Sequence, residues 1–132
     1  MEFLQKKVSP GSAAPTTKQA GDAAEARALE HLQAAGLRLL QRNYRTPGRG
    51  GGEIDLIMRD AAGTVVFVEV RQRASASHGG AAASVGGAKQ RRIVFAARYY
   101  LMRLREPPAC RFDVVTIEAG RLVWLQAAFD AF

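Results

Sequence analysis

Gly52–Asp60 (GEIDLIMRD) and Thr64–Arg73 (TVVFVEVRQR) decide how this chain folds. Both predict β-strands. Val65, Val66, Phe67, Val68 and Val70 are β-branched or aromatic and nearly continuous, the pattern of a strand buried on both faces. Yet Glu69 sits inside that run, and Asp55 sits inside Ile54–Leu56–Ile57. A carboxylate in such a place is costly unless a positive charge meets it. Asp60-Ala61-Ala62-Gly63 is a four-residue turn ending in glycine, so the two strands should form an antiparallel hairpin. Glu53 and Asp55 share one face of the first strand, and Glu69 and Arg71 share one face of the second. If the register puts these faces together, Asp55, Glu69 and Arg71 gather at one end of the sheet.

Upstream, Leu37–Arg45 (LRLLQRNYR) predicts a first strand, followed by Thr46–Gly52 (TPGRGGG) with four glycines, one proline and one arginine. This loop has little bulk; it either lets a ligand's backbone come close or is only a long connection. Before it, Thr16 and Gln19 form a capping-box pattern, so a helix runs from about Thr17 to Ala35 and stops at Gly36. Glu25, Ala28, Leu29 and Leu32 fall at i, i+3, i+4 and i+7, which places Glu25 on or beside the apolar face. Taken alone, the simpler reading is a boundary glutamate with a packed stem and a solvated head. Residues 1–15, rich in Ser, Pro, Gly and Ala, read as a flexible tail, and 16–132 as a single domain.

Downstream, Ala74–Gly87 predicts a second loop of small residues; its His78 is given no role. A second helix spans about Ala88 to Arg105, ended by Pro107-Pro108, with Ile93, Ala97, Tyr100, Leu101 and Leu104 as its buried stripe. Lys89 extends that stripe into the first turn. A lysine there opposes the helix macrodipole, which points to an external anion. Arg91, Arg92, Arg98, Arg103 and Arg105 face solvent, as a basic surface or simply a solvated one. Arg111–Glu118 and Arg121–Leu125 are the last strands, with Asp113 expected to pair with an arginine, and Phe129 and Phe132 to dock on the core. The element order is α-β-β-β-α-β-β.

With 132 residues, 48% of them hydrophobic, the chain should bury a real core. No apolar run approaches the ~20 residues of a membrane span, and the N-terminus lacks the apolar stretch of a signal peptide. Cys110 stands alone, so no intrachain disulfide or thiolate zinc site is expected, and a cytoplasmic location fits. The formal net charge of +7 favours a polyanionic partner, nucleic acid or an acidic membrane surface.

Mg²⁺ prefers oxygen ligands and takes one or two carboxylates together with waters and phosphate oxygens. Asp55 and Glu69 supply that number, and the ion would neutralise their charge. Glu25 would bind through water or orient a nucleophile. The D…E-x-K-like spacing is weak alone; its place on a buried hairpin strengthens it.

Together, Gly21, Glu25, Ala28, Asn43, Gly52-Glu53-Ile54-Asp55-Leu56-Ile57, Phe67-Val68-Glu69-Val70, Arg73, Lys89, Arg111-Phe112-Asp113-Val114-Val115 and Ala131-Phe132 make the chain resemble the YraN-like bacterial family. That family looks like Holliday-junction resolvases with the PD-(D/E)xK nuclease fold. The resemblance covers about Gly21 to Phe132. It implies an α/β restriction-endonuclease-like core of α-β-β-β-α-β order, a mixed central sheet flanked by helices, with an extra C-terminal strand. It implies an endonuclease acting on phosphodiester bonds of DNA, branched or junction DNA included, with Mg²⁺ or Mn²⁺ on Asp55 and Glu69 and with Glu25 as an auxiliary acid. Arg49, Arg71, Arg73, Lys89 and Arg92 are the candidate nucleic-acid contacts. No membrane partner is expected, and a homodimer stays open.

Arg71 departs from the family pattern, which usually has lysine there. Arginine effectively never loses its proton, so Arg71 cannot be a general base. It can hold a phosphate or orient a water, or pair with Glu69 or Asp55 and replace the metal. The alternative to an enzyme is therefore an inactive nucleic-acid-binding module on a nuclease fold; a third reading is a protein-interaction domain with structural ion pairs.

Overall fold

A computed structural model describes residues 16–73 and 85–131. The first helix, α1 (Thr17–Ala34), starts as its capping box requires. The Gln19 N–H donates to Thr16 Oγ1 at 3.1 Å, and the Thr16 N–H donates to Gln19 Oε1 at 2.9 Å. It ends at Gly36, whose φ of 98° lets Leu37 N–H turn back to the Leu32 carbonyl at 3.0 Å. The strands are β1 (Arg38–Arg45), β2 (Glu53–Arg59), β3 (Val65–Arg73), β4 (Cys110–Glu118) and β5 (Arg121–Phe129), and α2 (Gly87–Leu101) lies between β3 and β4.

These elements make a mixed α/β fold with one five-stranded sheet in the order β1-β2-β3-β4-β5. Every neighbouring pair is antiparallel except β3 and β4, which run parallel. A parallel pair needs a crossover connection, and α2 lies within it. The predicted β2–β3 hairpin forms, with Asp60 Oδ1 accepting from Ala62 N–H and Thr64 N–H to hold its turn.

Alternation along β2 and β3 explains how the sheet is buried on both sides. Leu56, Met58, Val66 and Val68 pack with Ala28 and Leu32 of α1, while Ile57, Val65 and Phe67 pack with Ile93, Ala96, Ala97 and Tyr100 of α2. Covering both faces explains the near-continuous apolar run of β3.

Asp113 takes the structural role expected of it and holds an irregular edge. It is fully buried and accepts from Arg111 Nε at 3.0 Å, Trp124 Nε1 at 2.9 Å and the Ala127 N–H at 2.9 Å. Ala127 has a φ of 51°, and the β4–β5 register shifts between Phe112 and Val114. The bulge lets β5 continue past the expected end at Leu125, so that Phe129 stacks on Phe112 with ring centroids 5.1 Å apart. Phe132, the 1–15 tail and most of the second loop, His78 included, lie outside the described residues.

One expectation needs correction. The second helix ends at Leu101, not Arg105, and Leu104 is 36% exposed rather than part of the buried stripe. After Leu101 the chain tightens into shorter turns, with Arg103 N–H donating to the Tyr100 carbonyl and Leu104 N–H to the Leu101 carbonyl. That swings Leu104 off the line of Ile93, Ala97 and Tyr100 before the Pro107-Pro108 stop. No helix among the described residues is long and apolar enough to cross a membrane.

Candidate functional site

The β2–β3 ladder stops at the Leu56–Val68 pair. Beyond it β2 stays bonded to β1 as far as Arg45–Glu53, and β3 stays bonded to β4 as far as Arg73–Glu118. Asp55 stands where the two strands part. Its Oδ2 accepts the Val70 N–H at 2.8 Å, doing side-chain work that a strand carbonyl would do in a continued ladder.

Glu69, only 4% exposed, lies beside it. By alternation Glu69 belongs to the α2 side of the sheet with Phe67, whereas Ile54 and Ile57 both pack on that side, so alternation breaks at Asp55, whose carboxyl reaches across the gap to β3. Lys89 Nζ and Arg71 Nη1 each stand 3.6 Å from Glu69 Oε2. These are ion pairs, too long to be hydrogen bonds. Glu69 Oε1 is buried and has no hydrogen-bond partner among the described residues. Burial, then the Asp55 charge, pushes the Glu69 carboxyl up to about 8, against the pull of Lys89 and Arg71. Burial also raises Asp55, with the Val70 N–H acting the other way. The protonated Glu69 carboxyl can donate to Asp55, so the pair holds one proton in place of a second negative charge.

The expected cluster of Asp55, Glu69 and Arg71 therefore forms, with Lys89 added to it. Among the described residues Arg71 pairs with Glu69 and does not bridge the two carboxylates. The anion that Lys89 was expected to need from outside is Glu69 itself. Glu25 is placed differently from its partners. It sits on α1, across the sheet, paired with Arg42 at 3.7 Å. Its carboxyl is raised first by burial and next by Asp55, so it lies within electrostatic reach of the pair. Arg42 is a residue that sequence reasoning missed, since one arginine in an arginine-rich strand carries no distinguishing signal.

Two carboxylates are a sparse donor set. Among the described residues, no group of three or more His, Cys, Asp or Glu side chains is placed to hold a metal. That excludes a full protein cage there and suits an ion that keeps most of its waters, as Mg²⁺ does. The unpartnered Glu69 oxygen and the upward shift of both carboxyls, with burial its first cause, are what a bound cation would relieve.

A cleft of about 410 Å³ adjoins the pair, lined by Arg45, Thr46, Gly48, Gly50, Gly51, Gly52, Glu53, Lys89 and Arg92. Lys89 thus faces both the cleft and Glu69. Of the other predicted contacts, Arg49 is exposed on the same loop, while Arg71 and Arg73 line a separate groove against the start of α1. Nothing in the sequence marks Arg45 as a lining residue, because β1 carries two other arginines, Arg38 and Arg42.

Residues 24–117 match the model of uncharacterised protein family UPF0102. A UPF0102 protein of Albidiferax ferrireducens is 80% identical over 116 residues, which cover 88% of this chain and 91% of that protein. Another, from Paracidovorax citrulli, is 68% identical over 134 residues, covering 99% of both chains. A third, from Acidovorax sp., is 64% identical over 131 residues with the same coverage. The carboxyl pair, the glycine loop and Lys89 all fall inside the matched span, and the chain belongs to the UPF0102 family.

Proposed function

We propose that this protein is a Mg²⁺- or Mn²⁺-dependent endonuclease of YraN-like, restriction-endonuclease-like type, cutting phosphodiester bonds of DNA. The observation that carries this reading is the carboxyl pair: half-buried Asp55 and buried Glu69 meet where β2 and β3 part, both raised in pKa, with one Glu69 oxygen lacking a hydrogen-bond partner among the described residues. The α-β-β-β-α-β order, with α2 in the crossover between the two parallel strands, suits a nuclease core of that type.

Asp55 and Glu69 would hold the metal, which when bound neutralises their charge, acidifies a water and stabilises negative charge on phosphate. Lys89 and Arg71 then serve as phosphate contacts, released in part from Glu69. Arg71 positions and cannot accept a proton. Glu25, raised by burial and by the charge of Asp55, is the remaining candidate base from this chain. Branched and linear DNA incubated with Mg²⁺ or Mn²⁺, beside an Asp55→Ala control, tests the reading. Cleavage by the parent protein alone supports it; equal cleavage by both assigns the activity to a contaminant.

The ion pairs of Glu69 with Arg71 and Lys89 favour a second reading, an inactive nucleic-acid-binding module in which these cations take the metal's place. In that case Asp55→Ala leaves DNA affinity unchanged or improved, and Mg²⁺ leaves the melting temperature where it was.

A further inference from the structure

The glycine loop is more than a passage to the carboxyl pair. Its base is fixed. Thr46 N–H donates to the Gly52 carbonyl at 3.0 Å, and Gly52 N–H donates to Thr46 Oγ1 at 2.8 Å. A Cβ on Gly52 would stand 2.0 Å from the Arg92 carbonyl oxygen, so only glycine lets the loop lie against the α2 backbone. A Cβ on Gly51 would meet Thr46 Oγ1 at the same distance.

Above this base the backbone alternates. Gly48 and Gly50 have φ of 83° and 71°, whereas Arg49 between them stays on the negative side. Such sign alternation curves successive N–H groups into an anion-binding concavity. Among the described residues, no protein group accepts from the N–H of Gly48, Arg49 or Gly50, while Gly51 closes the turn that holds them. Arg45, Lys89 and Arg92 line the same cleft, against the single carboxylate of Glu53, which Arg45 pairs at 3.4 Å.

We infer that this cleft is a phosphate subsite, in which the loop N–H groups and Arg92 hold a phosphate one nucleotide away from the group at Asp55 and Glu69. The source of that phosphate, a nucleic-acid backbone, rests on the function proposed above; the anion site itself does not. The spacing fits, because Glu53 in the cleft and Asp55 in the pair are two strand residues apart, about 6.6 Å, roughly one nucleotide of backbone. Lys89 lies between the two positions and touches both.

The test is amide NMR of the full chain in EDTA, titrated first with inorganic phosphate and then with an oligothymidylate. Beside it, fluorescence anisotropy follows the same oligonucleotide binding to the parent protein and to Arg92→Ala. The expected result is saturable shifts of Gly48, Gly50 and Gly51 with both ligands. Arg92→Ala should bind the oligonucleotide about three- to tenfold more weakly, with the slope of log affinity against log salt reduced by about 0.7, one single-strand phosphate contact. An oligonucleotide that binds without moving those amides, or binds Arg92→Ala as tightly as the parent, overturns the subsite and leaves the nucleic-acid reading standing. Shifts with inorganic phosphate but not with the oligonucleotide retain an anion site and overturn the backbone as its source. Neither ligand binding overturns both.

Discussion

Raising the pH should destabilise the metal-free protein through Glu69. Its carboxyl is pushed from an ordinary 4.5 up to about 8 in the folded chain. The folded state therefore keeps a proton that the unfolded state releases. The resulting stabilisation is complete below pH 4.5, and it is lost as pH rises through about 8. At 1.36 kcal/mol per unit, the loss is at most about 5 kcal/mol. That is a large part of the ~5–15 kcal/mol that hold a domain together. It corresponds to a fall in melting temperature on the order of 10 °C or more for a chain of this size. Glu69→Gln keeps the shape and can still donate to Asp55, but it has nothing to ionise. Urea unfolding of both proteins at several pH values in EDTA isolates the carboxyl pair, because titrations away from Asp55 and Glu69 are shared. The parent should lose stability relative to Glu69→Gln steadily between pH 5 and 8. Millimolar Mg²⁺ should restore it in the parent, since a ligand of the folded state stabilises by mass action. Parallel curves for the two proteins would refute the argument that burial and Asp55 control Glu69.

Other substitutions probe the frame and the chemistry separately. Asp113→Ala removes the acceptor of Arg111 Nε, the Trp124 indole N–H and the Ala127 N–H together, leaving Arg111 only Asp60, and should cost about 3–5 kcal/mol in urea unfolding; a loss below about 1 kcal/mol would show that the β5 bulge holds without it. Gly52→Ala forces a methyl against the Arg92 carbonyl and should destabilise by about 1–3 kcal/mol, whereas Gly21→Ala, on a helix with open space around it, should stabilise by about 0.5–1 kcal/mol. Thermal melts of the pair should move in opposite directions. Arg71→Lys supplies an amine that can lose its proton, and single-turnover cleavage of DNA with Mn²⁺ should quicken by about tenfold or more; an unchanged rate would remove position 71 from any proton transfer.

Much of the frame was legible because local chemistry and tertiary packing agree. The Thr16–Gln19 box and Gly36 delimit α1, and the apolar run from Val65 to Val70 needs cover on both faces, which α1 and α2 provide. The end of α2 was less legible. Leu104 continues the helical period in sequence, but the turns after Leu101 take it out of line, and no local residue marks that change. The extension of β5 was hidden for a similar reason: it depends on Asp113, a strand away, capturing the Ala127 N–H.

The sequence by itself determined that Asp55 and Glu69 are carboxylates set in apolar strands, that Arg71 cannot release a proton, and that a glycine-rich loop precedes them. Spacing along a strand fixes which residues share a face, and side-chain chemistry is a local property. Only the tertiary structure decided that β2 and β3 part at these two residues, that Glu69 rather than an outside anion meets Lys89, and that Glu25 approaches from the opposite face with Arg42 beside it. Those relations join side chains distant in sequence. They depend on where a ladder ends and how helices lie on the sheet, which no local pattern encodes.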